Sequence, residues 1–188
     1  MTMALRPPDP PLTDGVVSLR PWGEPGDAAA IRAACNDRAI AEFLDQIPSP
    51  YTEDDARAYV ESCRIGWRQG GQTNFAIVVS GEPVGSIGVR WLDGPDAGTA
   101  EVGYWMAPEA RGRGVCSRAL RLLSRWVLEE ARAPRLQLRA DEQNVASNKV
   151  AQNAGFTREG VLRSSRYNAR LGRRVDFVIY SLLPTDLT

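Results

Sequence analysis

Histidine is absent from the 188 residues. That gap removes every mechanism built on an imidazole, including Ser-His-Asp and Cys-His catalysis and His-ligated zinc. Cysteine is scarce: Cys35, Cys63 and Cys116 stand far apart and form no Cys-x-x-Cys pair. This argues against a disulfide framework or a thiolate metal site and for a reducing, cytoplasmic compartment. No apolar run reaches the ~18 residues of a membrane span, and the N-terminus lacks the basic start and apolar stretch of a signal peptide. Neither a metal nor a membrane is expected as a partner.

What is present suits one folded core. With 43% apolar and 24% charged residues the chain lies far from the composition of disordered proteins, and its length is close to that of one domain. Residues 1–14, with Pro7, Pro8, Pro10 and Pro11, read as a flexible arm, and residues 15–188 as a single domain. Formal charge is zero, yet residues 1–110 hold 8 arginines against 16 acidic residues, while residues 111–188 hold 15 basic residues against 7 acidic ones. The split suggests a basic site for an anionic cofactor beside an acidic site for a cationic partner. Compensation between solvated faces explains it equally well.

Periodicity gives the outline. Val16 to Trp22 reads as a strand, Asp27 to Asp37 and Arg38 to Asp45 as helical pieces, and Thr52 as the start of a helix that ends at Gly70-Gly71. In that helix Ala56, Tyr59, Val60, Cys63 and Trp67 share one face, and Thr52 with Asp55 resembles a capping box. The stretches Phe75–Ser80, Val84–Leu92 and Thr99–Met106, with a turn at Asp93-Gly94-Pro95-Asp96, read as three antiparallel strands. A helix from Gly114 to Arg132 follows, then a strand over Arg135–Ala140, a helix over Ala146–Ala154, and a hairpin made of Thr157–Arg166 and Arg174–Leu183. The fold class is mixed α/β, with a mostly antiparallel central sheet and helices on both faces.

The most informative segment is the strand ending at Met106 and Ala107, the turn Arg111-Gly112-Arg113-Gly114, and the helix start Val115-Cys116-Ser117. Glycines clear space for an approaching anion, and the first amides of a helix have no intrahelical acceptor, so the segment reads as a phosphate cradle. A dinucleotide fingerprint would need glycine where Ser117 stands and an acid near Arg139 and Ala140. A P-loop would need Gly-Lys-Ser/Thr. Cys116 is better explained as a small packing residue than as a nucleophile. The cluster Arg158, Arg163, Arg166, Arg170, Arg173 and Arg174 with Tyr167 admits RNA contact, but a solvated hairpin face explains it better.

Arg111-Gly112-Arg113-Gly114-Val115-Cys116 resembles the Gln/Arg-x-x-Gly-x-Gly/Ala loop of the GNAT acyltransferase superfamily, departing from it at Cys116. Asn144-Val-Ala-Ser147-Asn148-Lys149-Val150-Ala-Gln-Asn153-Ala-Gly155-Phe156, Glu159-Gly160 and Asp176 through Leu182 are similar to its RimJ/RimL-like branch. The resemblance implies a GNAT-like sheet splayed in its middle and acetyl-CoA as co-substrate, without metal. It places the CoA pyrophosphate on amides from Arg111 to Ser117, and pantetheine between the strand at Trp105–Ala107 and the strand near Leu138. A bulge there would aim an amide at the thioester carbonyl. Asn144 would contact pantetheine, with a helix cap as the competing explanation, and Ser147 would stand near the sulfur as general acid, directly or through water. Some members carry an acidic residue where Arg166 aligns, and an arginine cannot accept a proton. Glu101 is the alternative base, with Asp141 and Glu142 behind it, and a base is dispensable if the amine loses its proton to water.

The resemblance implies acetyl transfer to a primary amine in a ternary complex, with a protein or peptide α-amine as the leading acceptor. A small-molecule or antibiotic amine, a non-catalytic acyl-CoA-binding module and an RNA-binding accessory protein are the alternatives. A homodimer remains open, and nucleic acid is not the expected partner.

Overall fold

The structure, a computed structural model, describes residues 6–92 and 98–187. The turn expected at Asp93-Gly94-Pro95-Asp96 lies outside the described residues. Strands β1 (Leu12–Thr13), β2 (Val17–Pro21), β3 (Gln72–Val79), β4 (Glu82–Trp91), β5 (Ala100–Met106), β6 (Leu136–Asp141), β7 (Thr157–Asn168) and β8 (Arg173–Leu182) form one sheet in the order β1-β2-β3-β4-β5-β6-β8-β7. Every neighbouring pair is antiparallel except β5 and β6, which run parallel. That pair is joined over three positions, Ala100 with Leu136, Glu101 with Gln137 and Val102 with Leu138. Beyond Val102 the two strands are no longer paired, so the sheet is split in its middle, as the sequence reading expected.

Among the described residues five α-helices cover the sheet. On one face α4 (Val115–Arg125) and α5 (Val145–Asn153) close the larger core, with Leu120, Leu123, Ile77, Ile87, Leu136, Leu138 and Tyr180 almost fully buried. On the other, α1 (Asp27–Cys35) and α3 (Glu53–Gln69) cover a smaller cluster that includes Ile31, Cys63 and Ala76, and the short α2 (Arg38–Phe43) adds Ile40 against Ala107. The capping box at Thr52 and Asp55 is formed in both directions, and Gly70 ends α3 at φ 74°.

Two elements differ from expectation. Leu12 and Thr13, assigned to the flexible arm, pair with β2, and Asp14 accepts the amides of Val16 and Val17 and meets Arg118 Nε at 3.0 Å. Two residues are too few to display a strand period in sequence. The helix expected to run unbroken to Arg132 changes after Arg125 into a π turn over Trp126–Glu130. Trp126, Val127 and Leu128 are consecutive and all buried in it, and a single wide turn inside a helical stripe has no period of its own that the sequence displays.

Helix α1 is fastened by a buried carboxylate. Asp27, 2% exposed, takes Arg20 in a two-bond fork at 2.9 and 2.8 Å, and its Oδ2 also accepts the amides of Gly23 and Glu24. Burial alone would raise its pKa. The Arg20 guanidinium and the two amides outweigh it and hold the carboxyl below its ordinary 3.8. A lowered folded pKa means stabilisation that is present above the unfolded value and lost as pH falls through the folded one. Asp27→Asn should therefore cost about 1.5–3 kcal/mol near neutral pH, because it removes a buried charge-assisted pair and leaves Arg20 only its partly exposed contact with Glu24 at 3.2 Å, and should flatten the acid limb below about pH 4. Urea unfolding of both proteins between pH 2 and 7 checks this. Parallel curves throughout would contradict it.

Candidate functional site

Strand β5 runs into a 3-10 turn at Pro108–Ala110, then into the turn that starts α4. Gly112 and Gly114 hold φ 73° and 74°, a region that disfavours other residues. A Cβ on either would meet no atom within 4 Å, so open space lies over both. Gly114 is the N-cap of α4 and no side chain caps the helix. The leading amides of Val115, Cys116 and Ser117 therefore lack an intrahelical acceptor while their side chains are buried below. This end of the helix can take an anionic oxygen.

Arg111 behaves differently from the amide donor expected at the start of the loop. Its amide closes the 3-10 turn on Pro108 O at 3.3 Å. Its Nε and Nη2 reach Met106 O at 3.1 and 2.9 Å, and Nη2 also meets Asp37 Oδ1 at 2.6 Å. Arg111 thus holds the turn in place, while Arg113 is exposed beside it.

The split opens next to this turn. β4 and β5 pair without a register shift from Trp91–Ala100 to Gly85–Met106, so the bulge expected near Trp105 is missing. Backbone groups on the β6 side are freed instead because the β5–β6 pairing stops at Val102. Trp105 stacks against Trp22 with ring centres 6.2 Å apart, and Ala107 is tied by its amide to Val84 O.

On the α4/α5 side of the split stands a pair of hydroxyls. Tyr104 Oη lies 2.9 Å from Ser147 Oγ and also donates toward Ser147 O at 3.2 Å. Burial pushes the Tyr104 phenol well above its ordinary value, so it stays protonated and serves as a donor. Nothing in the sequence singled out Tyr104; its partner is 43 residues away. Asn144 caps α5, its Oδ1 accepting Ser147 N at 3.0 Å, so its side-chain oxygen is committed to the helix and only its amide group is left for another partner.

The opposite side of the split carries a row of ion pairs. Strand alternation turns Glu101 away from Ala100 and Val102. Its carboxylate takes Arg90 and Arg139 on Oε1 at 2.9 Å each, and Gln137 and Arg139 on Oε2 at 2.9 and 2.6 Å. Arg139 and Arg166 flank the Phe177 ring at 6.0 and 5.6 Å. Arg166 in turn binds Asp45 at 2.6 Å, whose other oxygen accepts the amide of Ala169. Burial pulls the Glu101 pKa upward, but the two guanidiniums and the Gln137 amide bring it below its ordinary 4.5. A carboxylate so held is a weak base and a strong brace for the closed end of the split. Its assignment as the proton acceptor, which requires a raised pKa, is at odds with this environment.

Among the described residues no group of side chains could hold a metal ion, and no helix is long and apolar enough to cross a membrane.

The acetyltransferase (GNAT) domain family matches residues 17–157. YdaF of Bacillus subtilis, provisionally named as a ribosomal N-acetyltransferase, is 31% identical over 169 residues, 87% of this chain and 89% of its own. The Escherichia coli ribosomal-protein-serine acetyltransferase is 29% identical over 116 residues, 62% and 64% of the two chains. Among solved structures, RimL, titled as a ribosomal alpha-N-protein acetyltransferase in complex with coenzyme A, has a TM-score of 0.81 at 22% identity, covering 92% of this chain and 96% of that one. At that identity the likeness is one of fold.

Cys116 lies under the cradle with its thiol buried, and burial pushes its pKa up to about 12, as it pushes those of Cys35 and Cys63 up to about 11. All three thiols in the folded chain should react with a disulfide reagent at pH 8 at least about a hundredfold more slowly than free cysteine. All three should become reactive on unfolding. One thiol reacting at the free-cysteine rate in the native protein would contradict this.

Proposed function

The chain belongs to the GNAT acetyltransferase family, and on that premise we propose that it moves an acetyl group from acetyl-CoA to a primary amine, with a protein or peptide α-amine as the acceptor. The open space over Gly112 and Gly114 and the free amides of Val115, Cys116 and Ser117 suit the CoA pyrophosphate. The arm beyond it would enter the split between β5 and β6. Backbone donors freed beyond Val102 would face the thioester oxygen.

In the reaction the amine nitrogen attacks the thioester carbonyl, its carbon–sulfur bond breaks, and the proton lost by the amine passes to water. The departing sulfur takes a proton from Ser147 Oγ, which Tyr104 holds in place at 2.9 Å, and the serine recovers one from water, so that the proton lost by the amine is balanced by the one gained by the thiol. Direct attack fits thiols that burial keeps protonated, since Cys116 at about 12 is a poor nucleophile.

One observation carries the choice of acceptor: Glu101, the carboxylate on β5 considered as a base, is tied to Arg90 and Arg139, and Asp45 is tied to Arg166. A site without a ready base favours an amine that is neutral by itself. With pKa near 7.8, roughly a third of an α-amine is neutral at pH 7.5, against about one in a thousand for a lysine side chain. Names of the relatives, which include a ribosomal-protein-serine acetyltransferase, support a protein substrate.

The test offers acetyl-CoA with peptides that carry a free α-amine, a lysine side chain with a blocked α-amine, or both, and reads the product by mass. Acetylation at α-amines is the expected result; modification confined to lysine would overturn the acceptor assignment. Gly114→Asp places a strained residue and a negative charge beside the pyrophosphate, so calorimetry should show CoA affinity falling by at least about tenfold in a folded protein. Unchanged affinity would overturn the placement of CoA on this turn.

A further inference from the structure

The segment between α1 and α3 forms a wall beside the split and is tied at both ends. At its far end Asp45 binds Arg166 and Ala169, the carbonyl of Glu42 accepts Asn168 Nδ2 at 2.8 Å, and the carbonyl of Ile47 accepts Arg170. These bonds fasten it to the β7–β8 hairpin, so that end is indifferent to what sits on the glycine turn. Its near end is different. Asp37 Oδ1 caps α2 by accepting Ile40 N at 3.1 Å, and the same oxygen receives Arg111 Nη2 at 2.6 Å.

A single guanidinium therefore joins three parts: the last carbonyl of β5 at Met106, the start of the glycine turn, and the first residue of the wall. Past Arg111 the turn has little to hold it, since Gly112 and Gly114 flank an exposed Arg113. An anion drawn onto the amides of residues 115–117 would fix the turn and with it the place of Arg111.

We infer that Asp37 is a positioning residue that makes segment 38–47 respond to the donor: binding of acetyl-CoA at the glycine turn, acting through Arg111, steadies the wall against which the acceptor amine is placed. This rests on the reading of the 111–117 turn as the acetyl-CoA site. The pair is only partly shielded, with Arg111 37% and Asp37 23% exposed. A coupling of about fivefold to tenfold, near the low end for linked sites, is the size to expect. Linkage is reciprocal, so weakening the pair should weaken CoA binding by the same factor by which CoA steadies the segment.

Hydrogen exchange of the full-length chain with and without coenzyme A, read on peptides spanning 38–47, tests this. Alongside it, calorimetry measures CoA affinity. The wild type should bind CoA and exchange in 38–47 should slow about fivefold or more, through amides such as those of Ala41 and Leu44, which donate to Asp37 O and Ile40 O. Asp37→Asn keeps a good helix cap but removes the charge. It should lose most of that protection and bind CoA a few-fold more weakly. Arg111→Gln with Asp37→Asn should be no worse than Arg111→Gln alone, because that change already removes the Asp37 contact along with those to Met106 O. A wild type that does not bind CoA overturns both this inference and the function on which it rests. Binding with no protection of 38–47, protection that survives Asp37→Asn in full, or additive losses in the double variant overturns the coupling alone.

Discussion

Three residue pairs between β5 and β6 govern the architecture of the site. Because these strands are parallel, the chain cannot turn directly from one to the other and must cross over through α4. The crossover begins at the carboxyl end of β5, which is also where β5 and β6 part company. A helix N-terminus with free amides is thereby delivered to the mouth of a gap in the sheet, the kind of place where open α/β sheets bind ligands. Glu101, bonded to Arg90, Gln137 and Arg139, braces the closed end. α5 and the β7–β8 hairpin stand on the far lip of the gap.

That arrangement divides labour between the two sides. The α4/α5 side offers neutral donors: helix amides, and a tyrosine hydroxyl against a serine hydroxyl. Across the sheet, charges are abundant but spent on one another, in the row Glu101, Arg139, Phe177, Arg166 and Asp45. Such a row ties β5, β6, the hairpin and the segment after α2 to one another, and it lowers the proton affinity of Glu101. On the proposed function, such a site would work by placing two reactants and stabilising charge on oxygen and sulfur, with the acceptor arriving neutral.

Much of this was legible in the sequence where the signal is local. The capping box at Thr52, the glycine turn before α4 and the stripes of α3 and α4 depend on residues within a few positions of each other, and all appear where expected. Contacts between distant residues were invisible. Arg166 meets Asp45 across 121 positions and Arg111 meets Asp37 across 74, and neither spacing has a period that a sequence displays. For that reason the sequence showed no sign that the Arg111 side chain ties the turn to Asp37, or that Arg90 and Arg139 surround Glu101, the alternative base. Asn144 shows the opposite case: its competing reading as a helix cap was local, and that bond is made. Arg166, which departs from the acidic residue of some similar proteins, is accounted for once Asp45 is seen beside it.

The central claim is that the protein positions the amine without deprotonating it. The most direct measurement is the pH dependence of kcat/KM for a series of peptide or small amines of graded pKa, in the wild type and in Glu101→Gln. The account predicts a limb on the acidic side that moves with the pKa of the amine and survives the substitution. A limb that stays fixed across the series and disappears with Glu101 would contradict it.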